Sequence, residues 1–126
     1  MEPVVVVDAR NVLRSEWPNI PEDELVALIR DWTARRAVRA LVVFDGRAPG
    51  ALVGSQTLDE TTTLVGTGSE SADDWIAREA PRLERYWLVT SDRELRQRAG
   101  EQAERLIGGG GFARTLRRAA STTRRA

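Results

Sequence analysis

Three short, continuously apolar segments stand out along the chain. Each is rich in β-branched or aromatic residues and lacks the alternation of a strand with one exposed face; they are Val4–Val7, Ala40–Phe44 and Tyr86–Val89. Such segments are typical of strands that are buried on both faces of a parallel sheet. Because helical patterns lie between them, we expect repeated strand–helix units and an α/β fold with a central parallel sheet.

The clearest helical pattern begins near Asn19. Asn19 and Glu22 have the spacing of a capping box, and Pro21 falls in the first turn, where a missing N–H removes no hydrogen bond. Apolar residues then recur on one helical face, at Leu25, Leu28, Ile29 and Trp32. This pattern predicts a helix whose apolar face lies on the sheet.

Two further helices are predicted beyond the middle of the chain. Ser71 stands three residues before Asp74 and can cap a helix that Pro81 ends or kinks. The next helix is predicted from about Arg93 to Arg98, directly after Asp92.

The remaining segments have weaker patterns. Residues 46–69 are rich in Gly, Ser and Thr, and they contain one predicted short edge strand at Thr61–Val65. A last short strand is predicted at Ala103–Ile107. Gly108–Gly111 then predicts a flexible turn, and Phe112–Arg118 a final short helix or arm.

Charge is balanced overall but segregated along the chain. The 126 residues include 19 Arg and 19 acids, yet residues 1–92 have a net charge of −6 and residues 93–126 one of +6. A basic end beside an acidic body suits binding to a polyanion. We expect one domain over residues 1–113 and a partly disordered basic arm over residues 114–126, with Ser121 to Ala126 as its disordered end.

Three residue types that carry much of enzyme chemistry are missing. The chain has no Cys, no His and no Lys. It therefore has no thiolate nucleophile, no disulfide, no imidazole base and no Schiff-base lysine. Any bound metal would have to be held by oxygen ligands, which favour Mg²⁺ or Mn²⁺ over Zn²⁺.

Nothing in the sequence predicts a membrane segment. The apolar stretches are only a few residues long, whereas a spanning helix needs about 20. A strand-like segment follows almost directly on Met1, where a signal peptide would have a basic region and a long apolar one. We therefore expect a cytoplasmic protein with no membrane partner.

An acidic residue follows each of the three predicted central strands. Asp8 follows the first, Asp45 the second and Asp92 the third. The carboxyl ends of parallel strands lie along one edge of a sheet, and ligands bind in the crevice there. These three side chains are therefore expected to meet.

Three more acids can reach the same edge. Asp73 and Asp74 lie in the first turn of the helix predicted after Ser71, and Glu70 lies just before it. Two carboxylates about 5 Å apart repel by about 3 kcal/mol at an effective dielectric of about 20. Without Lys or His, the compensating charge has to come from Arg or a bound metal. Mg²⁺ held by carboxylates and water can drive phosphodiester hydrolysis.

Each acid also fits a purely structural role. Aspartates after strands cap helices and form turns, Asp74 can complete a capping box, and Asp45 precedes Gly46 in a common turn pair. Strand-end acids alone would equally fit a phosphatase or a nucleotide-binding domain. The tryptophans are expected to pack in or around the core and not to stack on bases; they are Trp17, Trp32, Trp75 and Trp87.

Four segments taken together resemble a known family. They are VVDARNV at residues 6–12, VVFDG at 42–46, ESADDWI at 70–76 and VTSD at 89–92. Their order and spacing resemble the NYN domains of the PIN-like nuclease superfamily, and within them the YacP-like bacterial proteins, across roughly residues 3–112. The resemblance implies a three-layer α/β/α sandwich around a mainly parallel sheet, with residues 1–113 as the NYN nuclease domain.

The resemblance also implies an activity. It indicates an endoribonuclease that uses Mg²⁺ or Mn²⁺ on single-stranded or exposed RNA, including ribosome-associated mRNA. Asp8 resembles the family's first metal-binding aspartate, and Asn11 the residue that orients it or a water. By matching positions, the expected catalytic residues are Asp8, Asn11, Asp45, Asp73 and Asp92, and the expected metal ligands are Asp8, Asp73, Asp74 and Asp92.

One departure from the family concerns contact with RNA. The family usually has Gly-Tyr after the first aspartate, where this chain has Ala9-Arg10. Arg10 is expected to contact phosphate or to signal an altered substrate. The expected RNA-binding residues are Arg10, Arg47, Ser91 and Arg93.

Two other functions fit the same resemblance. A catalytically silent RNA- or ribosome-binding module would bind RNA in a salt-dependent way without needing metal. The toxin of a toxin–antitoxin pair would use the same chemistry under the control of a tight inhibitory partner. The complete acid set favours the nuclease, because a domain that only binds RNA has no reason to keep mutually repelling carboxylates.

Overall fold

One mixed sheet forms the centre of the molecule. The computed structural model describes residues 2–125, with side chains up to residue 121. Within this part of the chain the strands lie in the order β3-β4-β2-β1-β5-β6, and every neighbouring pair is parallel except β3 with β4. The strands are β1 Val4–Asp8, β2 Arg39–Phe44, β3 Gly54–Thr57, β4 Thr62–Gly66, β5 Tyr86–Val89 and β6 Arg105–Ile107. The predicted α/β class with a mainly parallel sheet is confirmed.

Helices cover both faces of this sheet. In the described chain they are α1 Ala9–Leu13, α2 Glu22–Arg36, α3 Ala72–Glu79, α4 Arg93–Ala99 and α5 Gly109–Arg125, with a 3₁₀ turn at Ala80–Arg82. Val5 and Val7 pack with α1, α2 and α5, whereas Val6 packs with α3 and α4 on the opposite face. Continuous apolar strands are therefore buried on both sides, as their pattern predicted. No helix among the described residues has the length and apolarity needed to cross a membrane.

The start of α2 differs from the prediction. The helix begins at Glu22, and Pro21 occupies the N-cap position without a side-chain hydrogen bond. A residue before proline is disfavoured in the helical region, so Ile20 cannot continue a helix that Asn19 would cap. The predicted capping box of Asn19 and Glu22 is therefore wrong. Three acids in the first turn stabilise this end of the helix instead, because their negative charges interact favourably with the helix dipole.

The Gly-, Ser- and Thr-rich segment holds two strands where one was predicted. β4 corresponds to the predicted Thr61–Val65 strand, but it is an internal strand between β2 and β3, and its Leu64 and Val65 are buried. The edge is formed by β3, whose residues are all exposed. β3 has no apolar pattern, and hence it could not be predicted from the sequence.

The C-terminal helix is longer than predicted. α5 begins at Gly109, so Gly109–Gly111 form its first turn instead of a flexible turn. Phe112, Ala113 and Leu116 are buried, and the Phe112 ring meets Trp32 of α2 edge-on at 5.1 Å between centroids. This packing outweighs the low helix propensity of glycine, which is about 1 kcal/mol per residue.

The predicted boundary between domain and arm falls inside α5. Residue 113 is buried, and the helix continues without a break to Arg125. Disorder is predicted for Ser121 to Ala126. The side chains beyond residue 121, and the whole of Ala126, lie outside the described part of the chain. The position of Leu116 nevertheless makes α5 part of the core.

Leu116→Ala tests whether α5 is part of the folded domain. We expect the substitution to lower the free energy of unfolding by about 2–4 kcal/mol, because it leaves a cavity in the core cluster to which Leu116 belongs. Urea unfolding followed by circular dichroism measures this. The control is Thr115→Ala at the exposed neighbouring position. Equal stability of the two variants would mean that residues after 113 are a dispensable arm.

Candidate active site

Four aspartates meet in one cleft at the carboxyl edge of the sheet. Asp8 ends β1, Asp45 directly follows β2, Asp92 lies three residues beyond β5, and Asp73 is in the first turn of α3. All four line a cleft of about 560 Å³. The other lining residues are Arg10, Asn11, Arg14, Ser15, Ser91 and Gly110.

Asp8 is the most buried acid of the cleft. Only 5% of its surface is exposed, and the Thr90 hydroxyl donates to Asp8 Oδ2 at 2.9 Å. The pKa of Asp8 is raised from 3.8 to about 6, chiefly by burial and also by the nearby charges of Asp73 and Asp45, although hydrogen bonds from Thr90 and the Asn11 backbone oppose the rise. Ionising Asp8 in the folded protein therefore costs free energy, and a cation bound nearby would offset this cost.

Asp73 connects the other acids electrostatically. Partial burial is the largest cause that raises the pKa of Asp73. The charges of Asp92 and Asp45 raise this pKa as well, and the charge of Arg98 lowers it. Since Asp73 also raises the pKa of Asp8, the four carboxylates form one mutually repelling group.

Two of the four acids also cap helices. Asp45 Oδ1 accepts a hydrogen bond from the Ala72 N–H at 2.9 Å, and Asp92 Oδ1 accepts one from the Leu95 N–H at 2.9 Å. The structural interpretation of these residues is therefore correct as far as it goes. Each carboxylate still lines the cleft, so helix capping fixes its position without excluding a second role.

Asn11 joins three segments around the cleft. Its Oδ1 accepts from the Ser91 N–H at 2.8 Å, and Ser91 Oγ in turn accepts from the Gly109 N–H at 2.9 Å. A Cβ atom at Gly109 would overlap Asn11 Oδ1. Asn11 thus contacts Asp8 through its backbone N–H, while its side chain positions Ser91.

Several predicted site residues lie outside the cleft. Asp74 forms an ion pair with Arg98 at 2.8 Å and lines no part of the cleft, so the structure does not place it among the metal ligands. Neighbouring helical residues point about 100° apart, and hence only one of Asp73 and Asp74 can face the cleft. Glu70 is paired with Arg78 instead.

Two of the predicted RNA-binding arginines are also outside. Arg47 and Arg93 are exposed and do not line the cleft, whereas Arg10 and Ser91 do. Arg93 is the first residue of α4, directly after the Asp92 cap.

The structure adds residues that the sequence did not identify as part of the site. Thr90 is fully buried, donates to Asp8 and accepts from the Asp92 N–H at 3.1 Å, so it links two acids. Its position follows from the pairing of Val7 with Val89, which sets Thr90 beside Asp8. Arg14 caps the C-terminus of α1, about one helical turn after Arg10. Because α1 has only five residues, its sequence pattern is too short to predict a helix, and the position of Arg14 could not be predicted either.

The donor set of the cleft suits a hard cation. With no His or Cys in the chain, its possible metal-binding side-chain atoms are oxygens. Within the described residues, no three His, Cys, Asp or Glu side chains are grouped tightly enough to hold an ion among them. Mg²⁺ does not need such a group, because it keeps several waters and takes one or two carboxylates. Asp8 and Asp73, the two with raised pKa values, are the best candidates.

Asp8→Asn tests the cost of ionising Asp8. The pKa of Asp8 is higher in the folded protein, at about 6, than in the unfolded chain, at 3.8. Asp8 therefore contributes stability that is fully present below pH 3.8 and is lost as the pH rises through about 6. In EDTA, the stability of Asp8→Asn relative to the wild type should therefore increase by about 2 kcal/mol between pH 4.5 and pH 7. Urea unfolding at both pH values measures it.

The matched control for this experiment is Asp74→Asn, which removes an acid outside the cleft. Its stability relative to the wild type should change little over the same interval. A relative stability of Asp8→Asn that is the same at both pH values would contradict the assignment of Asp8 as an acid ionised at a cost.

Comparison with known proteins identifies the fold. No protein-family model matches the chain, and no curated protein matches its sequence. Among solved structures, that of Rae1 (YacP) from Bacillus subtilis superposes with a TM-score of 0.71 at 20% identity, over 97% of this chain and 78% of that one. A mutant of the same Bacillus protein gives a TM-score of 0.72 at 18% identity, over 98% and 80% of the two chains. The chain therefore has a YacP-like fold.

Proposed function

We propose that this protein is a divalent-metal-dependent endoribonuclease that hydrolyses RNA phosphodiester bonds in the cleft. The observation that carries the proposal is the convergence of four carboxylates from distant parts of the chain, one of them buried with its pKa raised to about 6. A carboxylate cluster with no lysine or histidine near it is hard to explain as a device for stability.

The acids would serve to hold Mg²⁺ or Mn²⁺. Asp8 and Asp73 would bind the ion directly, and Asp92 through a water molecule. When bound, such an ion neutralises charge on a phosphate and activates a water nucleophile. Thr90 keeps Asp8 and the backbone of Asp92 in place by its two hydrogen bonds. Asp45 has its Oδ2 atom available to orient the attacking water.

The arginines that line the cleft would bind the RNA backbone. Arg10 and Arg14 are exposed, line the cleft and have no ion-pair partner among the described residues. A guanidinium group binds a phosphate through two parallel hydrogen bonds. These residues would hold the scissile phosphate over the acids, with Ser91 at the edge of the cleft.

The choice of RNA is supported by the four motifs that resemble YacP-like proteins and by the fold shared with Rae1 (YacP). The same resemblance supports ribosome-associated mRNA as the substrate and the cytoplasm as the location. A silent RNA-binding module is the alternative against which the proposal has to be tested.

Cleavage of an unstructured RNA oligonucleotide tests the proposal. We expect cleavage with Mn²⁺ or Mg²⁺ and none with EDTA. Asp8→Asn and Asp73→Asn should each lower kcat by roughly 100-fold or more, because charge neutralisation by the ion is worth several kcal/mol. Asp74→Asn should keep activity close to that of the wild type, since Asp74 is paired with Arg98 outside the cleft.

The possible contrary results are distinct. RNA binding without cleavage in any divalent metal would favour the silent binding module. Cleavage that survives EDTA and both cleft substitutions would remove the acids from the mechanism. A loss of activity in Asp74→Asn equal to that in Asp73→Asn would contradict the placement of the two side chains.

A further inference from the structure

A second pocket continues from the acidic cleft. It has a volume of about 290 Å³ and shares Arg10, Arg14 and Asp45 with the cleft. Its other lining residues are Leu13, Asn19, Ile20, Glu22 and Phe44. The pocket therefore combines apolar walls with an amide and a carboxylate, the groups that pack against a nucleobase and hydrogen-bond to its edge.

The loop between α1 and α2 forms the rim of both pockets. Ser15 lines the cleft and Asn19 the second pocket, so Trp17 lies two residues from each, within about 8 Å between Cα atoms. The Trp17 side chain is 90% exposed. The expectation that it packs in or around the core is therefore wrong.

The loop is fixed on both sides of this tryptophan. Glu16 is paired with Arg117 of α5 at 3.2 Å. Ile20 is buried, and its N–H donates to the Leu13 carbonyl at 3.0 Å. The loop thus presents an uncovered indole ring between Ser15, which lines the cleft, and Asn19, which lines the second pocket, and both pockets are also lined by Arg10 and Arg14. An exposed aromatic ring next to guanidinium groups is the arrangement that binds unpaired nucleotides in single-stranded nucleic acids.

We propose that the second pocket binds an unpaired nucleotide next to the scissile phosphate, and that Trp17 stacks on a neighbouring base of the same strand. Arg14, which lines both pockets, would bind the phosphate between the two sites. The inference rests on the proposed nuclease function for the identity of the scissile phosphate. It adds a subsite that selects single-stranded over paired RNA, since a paired base cannot expose its face to Trp17.

Equilibrium binding of a fluorescein-labelled, unstructured 12-nucleotide RNA tests the subsite. All proteins carry Asp8→Asn so that the probe stays intact. Trp17→Ala and Arg14→Ala should each weaken binding about tenfold or more, whereas Trp17→Phe, which keeps a stacking ring, should remain within about threefold. Arg14→Ala should also reduce the salt dependence of binding by about one phosphate contact, and Trp17→Ala should leave it unchanged.

Two control substitutions remove exposed side chains away from the pockets. Leu106→Ala removes an exposed apolar residue of β6, and Arg39→Ala removes an exposed arginine at the opposite end of β2. Both should bind RNA as the parent does. A 12-base-pair RNA duplex should bind equally to the parent and to Trp17→Ala. Because the Trp17 side chain is 90% exposed, Trp17→Ala should fold like the parent, which circular dichroism checks before binding is measured.

The outcomes separate this inference from the proposed function. If the wild type cleaves RNA but Trp17→Ala and Arg14→Ala bind as tightly as the controls, the subsite is overturned and the nuclease remains. If no metal supports cleavage but binding depends on Trp17 and Arg14 as described, the subsite stands without the nuclease. In the cleaving protein, Trp17→Ala should raise KM about tenfold and leave kcat within about threefold.

Discussion

Repulsion among the carboxylates at the carboxyl edge of the sheet is the interaction on which the site depends. The parallel order β2-β1-β5 brings Asp8, Asp45 and Asp92 to one edge, and α3 adds Asp73. Hydrogen bonds from Thr90 and from the first turns of α3 and α4 hold these side chains in place. The fold therefore fixes the positions of the four carboxylates, and a bound cation would offset their repulsion.

The acids and the arginines that line the cleft come from different parts of the fold. The sheet edge and α3 contribute the acids, whereas α1 and the loop after it contribute two arginines and an uncovered tryptophan. α5 joins these parts, because the Gly109 N–H binds Ser91 and Arg117 binds Glu16 of the loop. In the proposed function, the acids would hold a metal ion, and the arginines and the tryptophan would bind the RNA strand.

Much of the fold could be predicted because the apolar strands carry strong local signals. The three central strands, the Ser71 cap and the break at Pro81 are where the sequence predicted them. The exposed strand β3 and the glycine start of α5 could not be predicted, since tertiary pairing and the burial of Phe112 decide them. These elements depend on partners that are distant in the chain.

The site could be predicted only in part for the same reason. Strand ends located three of the acids, but whether Asp73 or Asp74 faces the cleft depends on the rotation of α3. The position of Thr90 beside Asp8 depends on the register of β5 against β1. The position of Arg14 depends on the short helix α1, which ends just before it. The motif resemblance and the fold shared with Rae1 (YacP) agree on the architecture, while the chemistry depends on these local orientations.

Binding of Mn²⁺ in the absence of RNA, followed by electron paramagnetic resonance, tests whether the carboxylates of the cleft hold a divalent ion. We expect a bound ion at pH 7 that is lost in Asp8→Asn and in Asp73→Asn and retained in Asp74→Asn. No saturable binding up to millimolar Mn²⁺, or equal binding in all four proteins, would contradict it.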